Sequence, residues 1–287
     1  MNREEALKKQ YGKLRALYFA YLAMAICALV FYFINKPLTL ALLGVSLVYH
    51  LLLVRPRSKE YERAYNQICI EQTLARYLKD ATHTAKPPLD AEEIGQARLV
   101  PANTTGGIHC WAGGMGNYHG RTVRVSDATL THSFFVGDKK RHEFVTGAWI
   151  SVALEKDTGF DWRLLGAGVV KEPSLAAMLR RENDLQRPLE LPPWISDGGW
   201  TVLRPEGFPD LPHSTVLKQI RSLADSTKHP LAVHIQKNQL NVFLVSRILG
   251  QKVNVREAPE AKLLAADRLP ELSGILKLSD VLINSLE

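Results

Sequence analysis

Hydrophobic and polar positions divide the chain into a short apolar beginning and a longer mixed remainder. Leu17–Ile34 and Leu38–Val54 are two apolar runs without a formal charge, separated by Asn35-Lys36-Pro37. At about 1.5 Å per residue, each run makes a helix just long enough for a hydrocarbon core of roughly 30 Å. Pro37 disfavours helical geometry at the residue before it and donates no N–H, so it marks the break. The pattern predicts a transmembrane helical hairpin, with its two spans bounded by Leu17, Ile34, Leu38 and Val54.

A soluble helical hairpin and a cleaved signal peptide both fit these runs less well. A helical hairpin in the core of a soluble protein would have one polar side, whereas both runs are apolar on every face. A cleaved signal peptide would have a shorter apolar core followed by small residues, and Phe33-Ile34-Asn35 offers no such cleavage site. We therefore expect the hairpin to stay in a lipid bilayer.

The basic residues predict how the hairpin is oriented. Residues 1–63 contain ten Lys and Arg against four Glu, a balance of +6, and nine of the ten basic residues flank the hairpin on its two open ends. The connecting turn has only Lys36. Because cytoplasmic flanks carry the excess of Lys and Arg, both termini are predicted to face the cytoplasm.

The charge of the remaining chain argues against nucleic-acid binding. Subtracting the first 63 residues from the totals of 36 basic and 29 acidic residues leaves 26 and 25, a balance of +1. A nearly neutral domain lacks the basic surface that nucleic acid requires. Three scattered cysteines give no disulfide framework and fit a reducing compartment.

After the hairpin, the periodicity alternates between helix and strand without regular order. Ser58–Asp80 shows helical spacing and predicts a stalk helix, which either continues from the second span or restarts near Pro56. Asp90, with Glu93 three residues later, predicts an N-capped helix to about Ala97. Short apolar segments then predict strands at Arg121–Ser126, Thr131–Val136 and Phe144–Leu154, with Gly137–Lys140 as a turn and a further strand within Phe160–Val170.

The last third of the chain repeats this mixture. The spacing predicts a helix over Pro173–Asn183, a helix from Ser214 to Ala224, and a C-terminal helix over Ala266–Leu286. Alternation in Leu231–Ile235 and Leu240–Leu244 predicts a β-hairpin. Between these elements, residues 187–212 contain six prolines with Trp194 and Trp200, which indicates a subdomain boundary or a strap across the sheet.

These elements predict an α+β protein with a transmembrane hairpin, a mainly antiparallel sheet and flanking helices. The predicted divisions are a hairpin with basic flanks (1–57), a stalk helix (58–84), a β-rich α+β region (85–186), the Pro-rich segment (187–212), and a helix, β-hairpin and C-terminal helix (213–287).

Candidate chemistry is confined to the segment Thr104–Gly120. Its side chains His109, Cys110 and His119 are candidate catalytic residues, because a thiolate nucleophile requires a nearby base. Adjacent His and Cys side chains diverge on a strand, and the paired spacing of zinc sites is absent, so no metal is expected. The glycines lack dinucleotide spacing and no phosphate-binding loop occurs, so no cofactor is expected; tight turns beside a sheet explain the glycines.

Several segments resemble a bacterial membrane-protein family of unknown function, with an N-terminal two-helix hairpin and a cytoplasmic α+β domain. The resemblance is carried by Phe144–Leu154, the Gly-rich Leu164–Gly168, the helix and hairpin within Ser214–Leu244, and Leu269–Asn284. The chain departs from that family at Ser246-Arg247, where the family has Phe-Glu. The resemblance implies the bacterial inner membrane and the fold, and supplies no catalytic residues.

Two functional hypotheses follow. The first is an anchored protein whose cytoplasmic domain binds a protein partner or a second copy of itself. The second is a membrane-tethered enzyme, such as a hydrolase, with a site at His109, Cys110 and His119. Convergence of those three side chains in one pocket would favour the enzyme, and separation would favour the interaction domain. The sequence does not indicate a small-molecule ligand.

Overall fold

The computed structural model describes residues 3–84, 86–103, 106–169, 179–180, 185–188, 190–209, 211–246, 249, 258–260, 264 and 266–285. The chain forms two compact units: residues 1–69 with 251–266, and residues 70–250 with 267–287. We call them the hairpin unit and the sheet unit. Each is described by itself below.

Two long helices make up most of the hairpin unit, and the second continues beyond Cys69 into the sheet unit. α1 spans Arg3–Tyr32, and α2 spans Lys36–Ala75 and includes a π-helical stretch at His50–Val54. Asn35 caps α2, because its side chain accepts the N–H of Leu38 at 3.2 Å. α2 passes through Pro56 without interruption, so the stalk is a continuation of the second apolar run.

The predicted stalk is paired rather than single. The first half of α1 contributes Leu7 and Leu14 to an apolar cluster with Tyr61, Tyr65 and Cys69 of α2. The start of the chain is therefore one helix of a two-helix stalk. The predicted stalk end at Asp80 is wrong: α2 ends at Ala75, and Lys79–His83 forms strand β1, which pairs with another strand.

The sheet unit is built on an antiparallel sheet, in which the described residues form nine strands in the order β1-β2-β3-β4-β9-β8-β5-β7-β6. The strands are β1 (Lys79–His83), β2 (Ile108–Tyr118), β3 (Arg121–Val136), β4 (Lys139–Ala153), β5 (Asp161–Leu165), β6 (Leu185–Gln186), β7 (Thr201–Pro205), β8 (Leu231–Gln236) and β9 (Gln239–Leu244). Its helices are α3 (Ala91–Ala97), α4 (Pro193–Ser196), α5 (Ser214–Ser226) and α6 (Leu272–Asn284). The α+β architecture with a large antiparallel sheet is as predicted.

Several local predictions agree with the structure. Asp90 and Glu93 form a reciprocal capping box at α3. The hairpin β8–β9 pairs Leu231 with Leu244.

Other local predictions differ from the structure. The two strands predicted within residues 121–136 are one continuous strand, and α5 is capped by His213, one residue before the predicted Ser214. α6 begins at Leu272, six residues later than predicted, and the predicted helix over Pro173–Asn183 lies largely outside the described residues.

The glycines of β2 do not form turns, contrary to the prediction. Gly113, Gly114 and Gly116 lie within the strand, and only Gly120, with φ of 83°, lies in a turn. A Cβ at Gly114 would lie 2.6 Å from the Leu74 side chain and 2.6 Å from the Thr82 carbonyl oxygen. These glycines let other parts of the sheet unit approach β2 closely.

Alternation places a core on each face of the sheet. One face carries Val125, Ile150, Val242 and Val233, which pack with α5 and α6. The other face packs with α3 and its flanking segment through a cluster that includes Leu89, Ile94, Leu99, Trp149 and Phe243. The Pro-rich segment contributes β7, which pairs with β5, and its Trp194 and Trp200 are half-buried with ring centroids 6.1 Å apart.

Candidate functional site

The hairpin unit exposes its apolar side chains. The apolar windows of α1 and α2 are only 11% and 17% buried, and both helices are long and apolar enough to cross a membrane. At the predicted span ends, Ile34 and Leu38 are exposed, Leu17 is half-buried, and Val54 is buried. Such exposure is costly in water, which distinguishes these helices from core helices of a soluble protein.

The two helices meet through a polar seam. Thr39 and Ser46 of α2 are buried in the hairpin, and the His50 ring lies 5.1 Å from the ring of Tyr21 on α1. Small hydroxyl side chains allow close approach of helices in lipid. His50 begins the π-helical stretch, a local widening that keeps the α2 hydrogen-bond ladder continuous up to Arg55.

A basic collar surrounds the stalk where the apolar runs end. We define it as Lys13, Arg15, Arg55, Arg57 and Lys59, all of which are exposed. The Tyr18 hydroxyl of α1 lies 3.2 Å from the Ser58 Oγ of α2, so Tyr18 and Ser58 lie side by side at this point of the stalk. Arg57 is paired with Glu60 at 2.9 Å, and the Arg15 guanidinium lies 5.4 Å from the Phe19 ring centre. Basic residues at the ends of apolar runs are typical of helices that cross a membrane.

Cys110 has the surroundings of a structural thiol. It lies on β2, half-buried beside the cluster of Leu89 and Ile94. Burial, with a smaller effect from the Asp90 carboxylate, raises the pKa of its thiol to about 11. A thiol with a raised pKa is protonated at neutral pH and is a poor nucleophile.

The structure does not bring the three predicted catalytic residues together. His109 and Cys110 are neighbours on β2, so their side chains point to opposite faces, and His109 is exposed. His119 lies in the turn after β2, nine residues beyond Cys110, which is roughly 30 Å along an extended strand. It is exposed, and its Nδ1 lies 3.7 Å from the Asp280 carboxylate. This geometry gives the enzyme hypothesis no support.

A buried charged cluster lies elsewhere, on β5 and β8. The Asp161 carboxylate contacts the Arg163 guanidinium at 2.6 Å and His234 Nε2 at 2.9 Å. Burial lowers the pKa of His234 to about 4, against the opposing effect of Asp161. Although burial alone would raise the pKa of Asp161, the bonds from His234 and Arg163 lower it. The cluster is therefore a carboxylate–guanidinium pair with a neutral imidazole.

Arg163 and His234 of this cluster are buried, whereas Asp161 is half-buried. His234 is fully buried, and Arg163 Nε donates to the carbonyl of Ala97 at 3.4 Å. No group of three or more His, Cys, Asp or Glu side chains in the described part of the chain is arranged to hold a metal ion. The cluster connects β5 and β8 to the segment around α3.

The most exposed apolar surface of the sheet unit is on a projecting β-hairpin. We call residues 131–144 the arm; it comprises the end of β3, the turn at Gly137-Asp138 and the start of β4. The register of β2 on β3 ends at Leu130, and that of β9 on β4 begins at Ala148, so neither strand runs alongside the arm. The segment before β2 contacts only the base of the arm, where Asn103 bonds to Thr131 and Ser133. Phe135 and Phe144 are 71% and 63% exposed.

The sequence predicted the turn of the arm, but not the exposed aromatic face of the arm. Phe135 pairs with Lys140 and Phe144 with Thr131, so both rings lie on one face of the arm. The alternating positions Lys140, His142 and Phe144 indicate this face in the sequence. Reasoning from sequence also missed the charged cluster, because His234 joins Asp161 and Arg163 only through the pairing of β5 with β8.

Comparisons with known proteins add little to this picture. No protein-family model matches the sequence, and no curated protein matches it. Among solved structures, the chain is similar to the crystal structure of the mycobacterial trehalose monomycolate transport factor A, TtfA. The sequences are 11% identical, the match covers 75% of this chain and 96% of that chain, and the TM-score is 0.36. A likeness of this size carries no argument about function.

Proposed function

We propose that the chain is a bacterial inner-membrane protein, with both termini in the cytoplasm and a cytoplasmic domain that binds a protein partner or a second copy of itself. One observation carries the anchor: the apolar windows of α1 and α2 leave most of their residues exposed. In lipid this exposure is favourable, whereas in water it would drive aggregation. The basic collar on the open end of the hairpin supports the cytoplasmic orientation.

Accessibility of single cysteines tests the anchor and its orientation. Cys27, Cys69 and Cys110 are replaced by Ala, and one cysteine is introduced, either by Asn35→Cys in the hairpin turn or by Lys59→Cys in the collar. A membrane-impermeant maleimide is expected to label the Asn35→Cys protein on intact spheroplasts and the Lys59→Cys protein only after lysis. The reverse pattern would contradict the orientation, and extraction of the protein by alkaline carbonate would contradict insertion.

An interaction domain is favoured by the sheet unit's chemistry. The candidate nucleophile Cys110 is separated from His119, Arg163 and His234 of the charged cluster are buried, and residues 64–287 are nearly neutral. These features leave surface contacts as the best supported mode of action.

Crosslinking in cells, followed by purification in detergent, tests the interaction domain. The expected result is one reproducible partner, or a dimer of the chain, that depends on a folded sheet unit. The matched control is Leu240→Asp, because Leu240 is fully buried in β9 while the hairpin sequence stays intact. Equal recovery of the same species with this variant would show that the hairpin alone makes the contact.

A further inference from the structure

Among the described residues, exposed large hydrophobic side chains are confined to two places, the helical hairpin and the arm. A membrane accounts for those of the hairpin, whereas it does not by itself account for Phe135 and Phe144. Both rings lie on the same face of the arm, at its tip and at its base. Two aromatic rings fixed on one exposed face indicate a docking surface.

The charges of the arm narrow the choice of partner. Lys139, Lys140 and Arg141 are consecutive and exposed at the start of β4, against Asp138 in the turn and Glu143. Lys140 stands opposite Phe135 on the aromatic face, and Lys139 and Arg141 stand on the other face. Exposed aromatic rings beside cations are suited to the surface of an anionic bilayer, where negative headgroups border the apolar acyl chains.

We propose that the arm docks on the anionic lipid surface of the membrane that anchors the chain. The proposal rests on the membrane anchor, because a tethered domain meets the bilayer at a high effective concentration. The Phe135 ring at the tip enters the boundary between headgroups and acyl chains, and the three cations around the tip bind the negative headgroups. The domain would then be held at the membrane by the hairpin and by the arm.

A second copy of the chain fits this surface less well. Symmetric antiparallel pairing of two arms along β4 with the twofold axis at Lys140, which would bring the two tips together, sets Lys139, Lys140 and Arg141 of one copy against the same residues of the other. Like charges placed opposite each other on paired strands are destabilising. An acidic protein surface is the remaining competitor, and the experiment below separates it from lipid.

The test uses the full chain in vesicles. After replacement of the three native cysteines by Ala, Phe135→Cys carries a nitrobenzoxadiazole label. The vesicles are phosphatidylcholine, with or without phosphatidylglycerol, and contain a doxyl-labelled lipid as a quencher. The matched control is His119→Cys, since residue 119 is exposed in the turn before β3 and the arm is at the opposite end of that strand.

The label at 135 is expected to shift its emission to the blue and to be quenched by the doxyl lipid when phosphatidylglycerol is present. The label at 119 is expected to stay in water. Each of Lys139→Gln and Lys140→Gln should lower the ratio of docked to free arm about fivefold, since each cation near an anionic surface contributes separately. These lysines are exposed, so the variants should keep the fold.

Three outcomes would overturn the proposal. If the protein floats with the vesicles but the label at 135 remains in water, the arm proposal fails while the anchor stands. A blue shift without doxyl quenching would show that protein, not lipid, covers the arm. If the protein does not float with the vesicles, the membrane anchor itself fails, and the arm proposal fails with it.

Discussion

Leu47 and Leu240 are the same residue in opposite surroundings. Leu47, in the middle of the second apolar run, is 58% exposed, whereas Leu240 in β9 is fully buried. The hairpin unit turns its apolar side chains outward over most of its length, and the sheet unit turns them inward onto two faces of one sheet. The comparison shows that hydrophobicity alone does not specify burial, because the surrounding solvent decides which side an apolar residue faces.

The largest expected effect comes from placing the same charge in both surroundings. Leu240→Asp should destabilise the sheet unit by more than about 4 kcal/mol, because a carboxylate would be buried without a partner. All five tryptophans lie between residues 111 and 200, so tryptophan fluorescence during urea unfolding of the full chain in detergent reports on the sheet unit. A stability close to that of the unaltered protein would contradict the burial of β9.

The matched variant is Leu47→Asp. It should leave the unfolding of the sheet unit unchanged within about 0.5 kcal/mol, since the side chain is exposed in detergent. Insertion of the hairpin should become less favourable by roughly 3 kcal/mol, because Asp replaces Leu near the centre of a span. The measurement is the membrane-bound fraction in cells. Loss of tryptophan-monitored stability in this variant would remove the contrast between the two units.

A second comparison uses one glycine from each unit. Gly114→Val should destabilise the sheet unit by about 3 kcal/mol, because the Cβ alone would lie 2.6 Å from both Leu74 and the Thr82 carbonyl. Gly44 in α2 has nothing within 4 Å of an added Cβ, so Gly44→Ala should be neutral or stabilise the helix by up to about 1 kcal/mol. Urea unfolding and the membrane-bound fraction, measured on both variants, check the two expectations. A tolerated Gly114→Val would mean that β2 is not closely approached.

The glycine comparison explains why the two units were not equally predictable. The hairpin follows from run length and charge, which require no knowledge of distant contacts. The β8–β9 hairpin was predicted because alternation in Leu231–Ile235 and Leu240–Leu244 is local. β2 was missed because Gly113, Gly114 and Gly116 carry no alternation, and Gly114 and Gly116 contact residues more than 30 positions away.

The charged cluster of Asp161, Arg163 and His234 was not predicted, for the same reason. His109, Cys110 and His119 are close in sequence, yet an extended strand separates residues by about 3.3 Å each, so closeness along the chain became distance in space. Asp161 and Arg163 lie two residues apart on β5, whereas His234 is 73 residues from Asp161 and meets them through strand register. Sequence reasoning favoured the first set because it had no information on pairing.

A smaller effect is expected where α6 is held to the β2–β3 turn. Arg121 is buried and donates to Ser279 and to the Asp280 carboxylate, and the Tyr118 hydroxyl donates to Asp280 at 2.8 Å. Arg121→Ala should lower the free energy of unfolding by about 2 kcal/mol, the usual contribution of hydrogen bonds to a charged group. Arg221→Ala is the control, since Arg221 and Asp225 are 3.7 Å apart and exposed, and should change stability by less than about 0.5 kcal/mol. Equal effects would show that Arg121 does not hold α6.

The contribution of this pair also has a predictable pH dependence. Burial would raise the pKa of Asp280, but the bonds from Arg121 and Tyr118 lower it below its ordinary value. The stabilisation is therefore present above the ordinary carboxyl pKa of about 4 and is lost as the pH falls through the lowered value in the folded protein. The stability difference between the unaltered protein and Arg121→Ala should shrink below pH 4.

A comparison that depends on pH separates the two histidines that each contact an aspartate. Burial lowers the pKa of His234 to about 4, so the folded protein keeps this imidazole neutral where an unfolded chain would already bind a proton. Stability from His234 is complete above the unfolded pKa of about 6.5 and is lost as the pH falls towards 4, at no more than about 1.4 kcal/mol per pH unit. His234→Gln should flatten the decline of the melting temperature between pH 6.5 and 4.5. His119→Gln, at an exposed histidine 3.7 Å from Asp280, should leave that decline in place. If both variants preserve the full decline, the acid sensitivity belongs to other groups. The cluster of Asp161, Arg163 and His234 then does not set the pH range over which the sheet unit is stable.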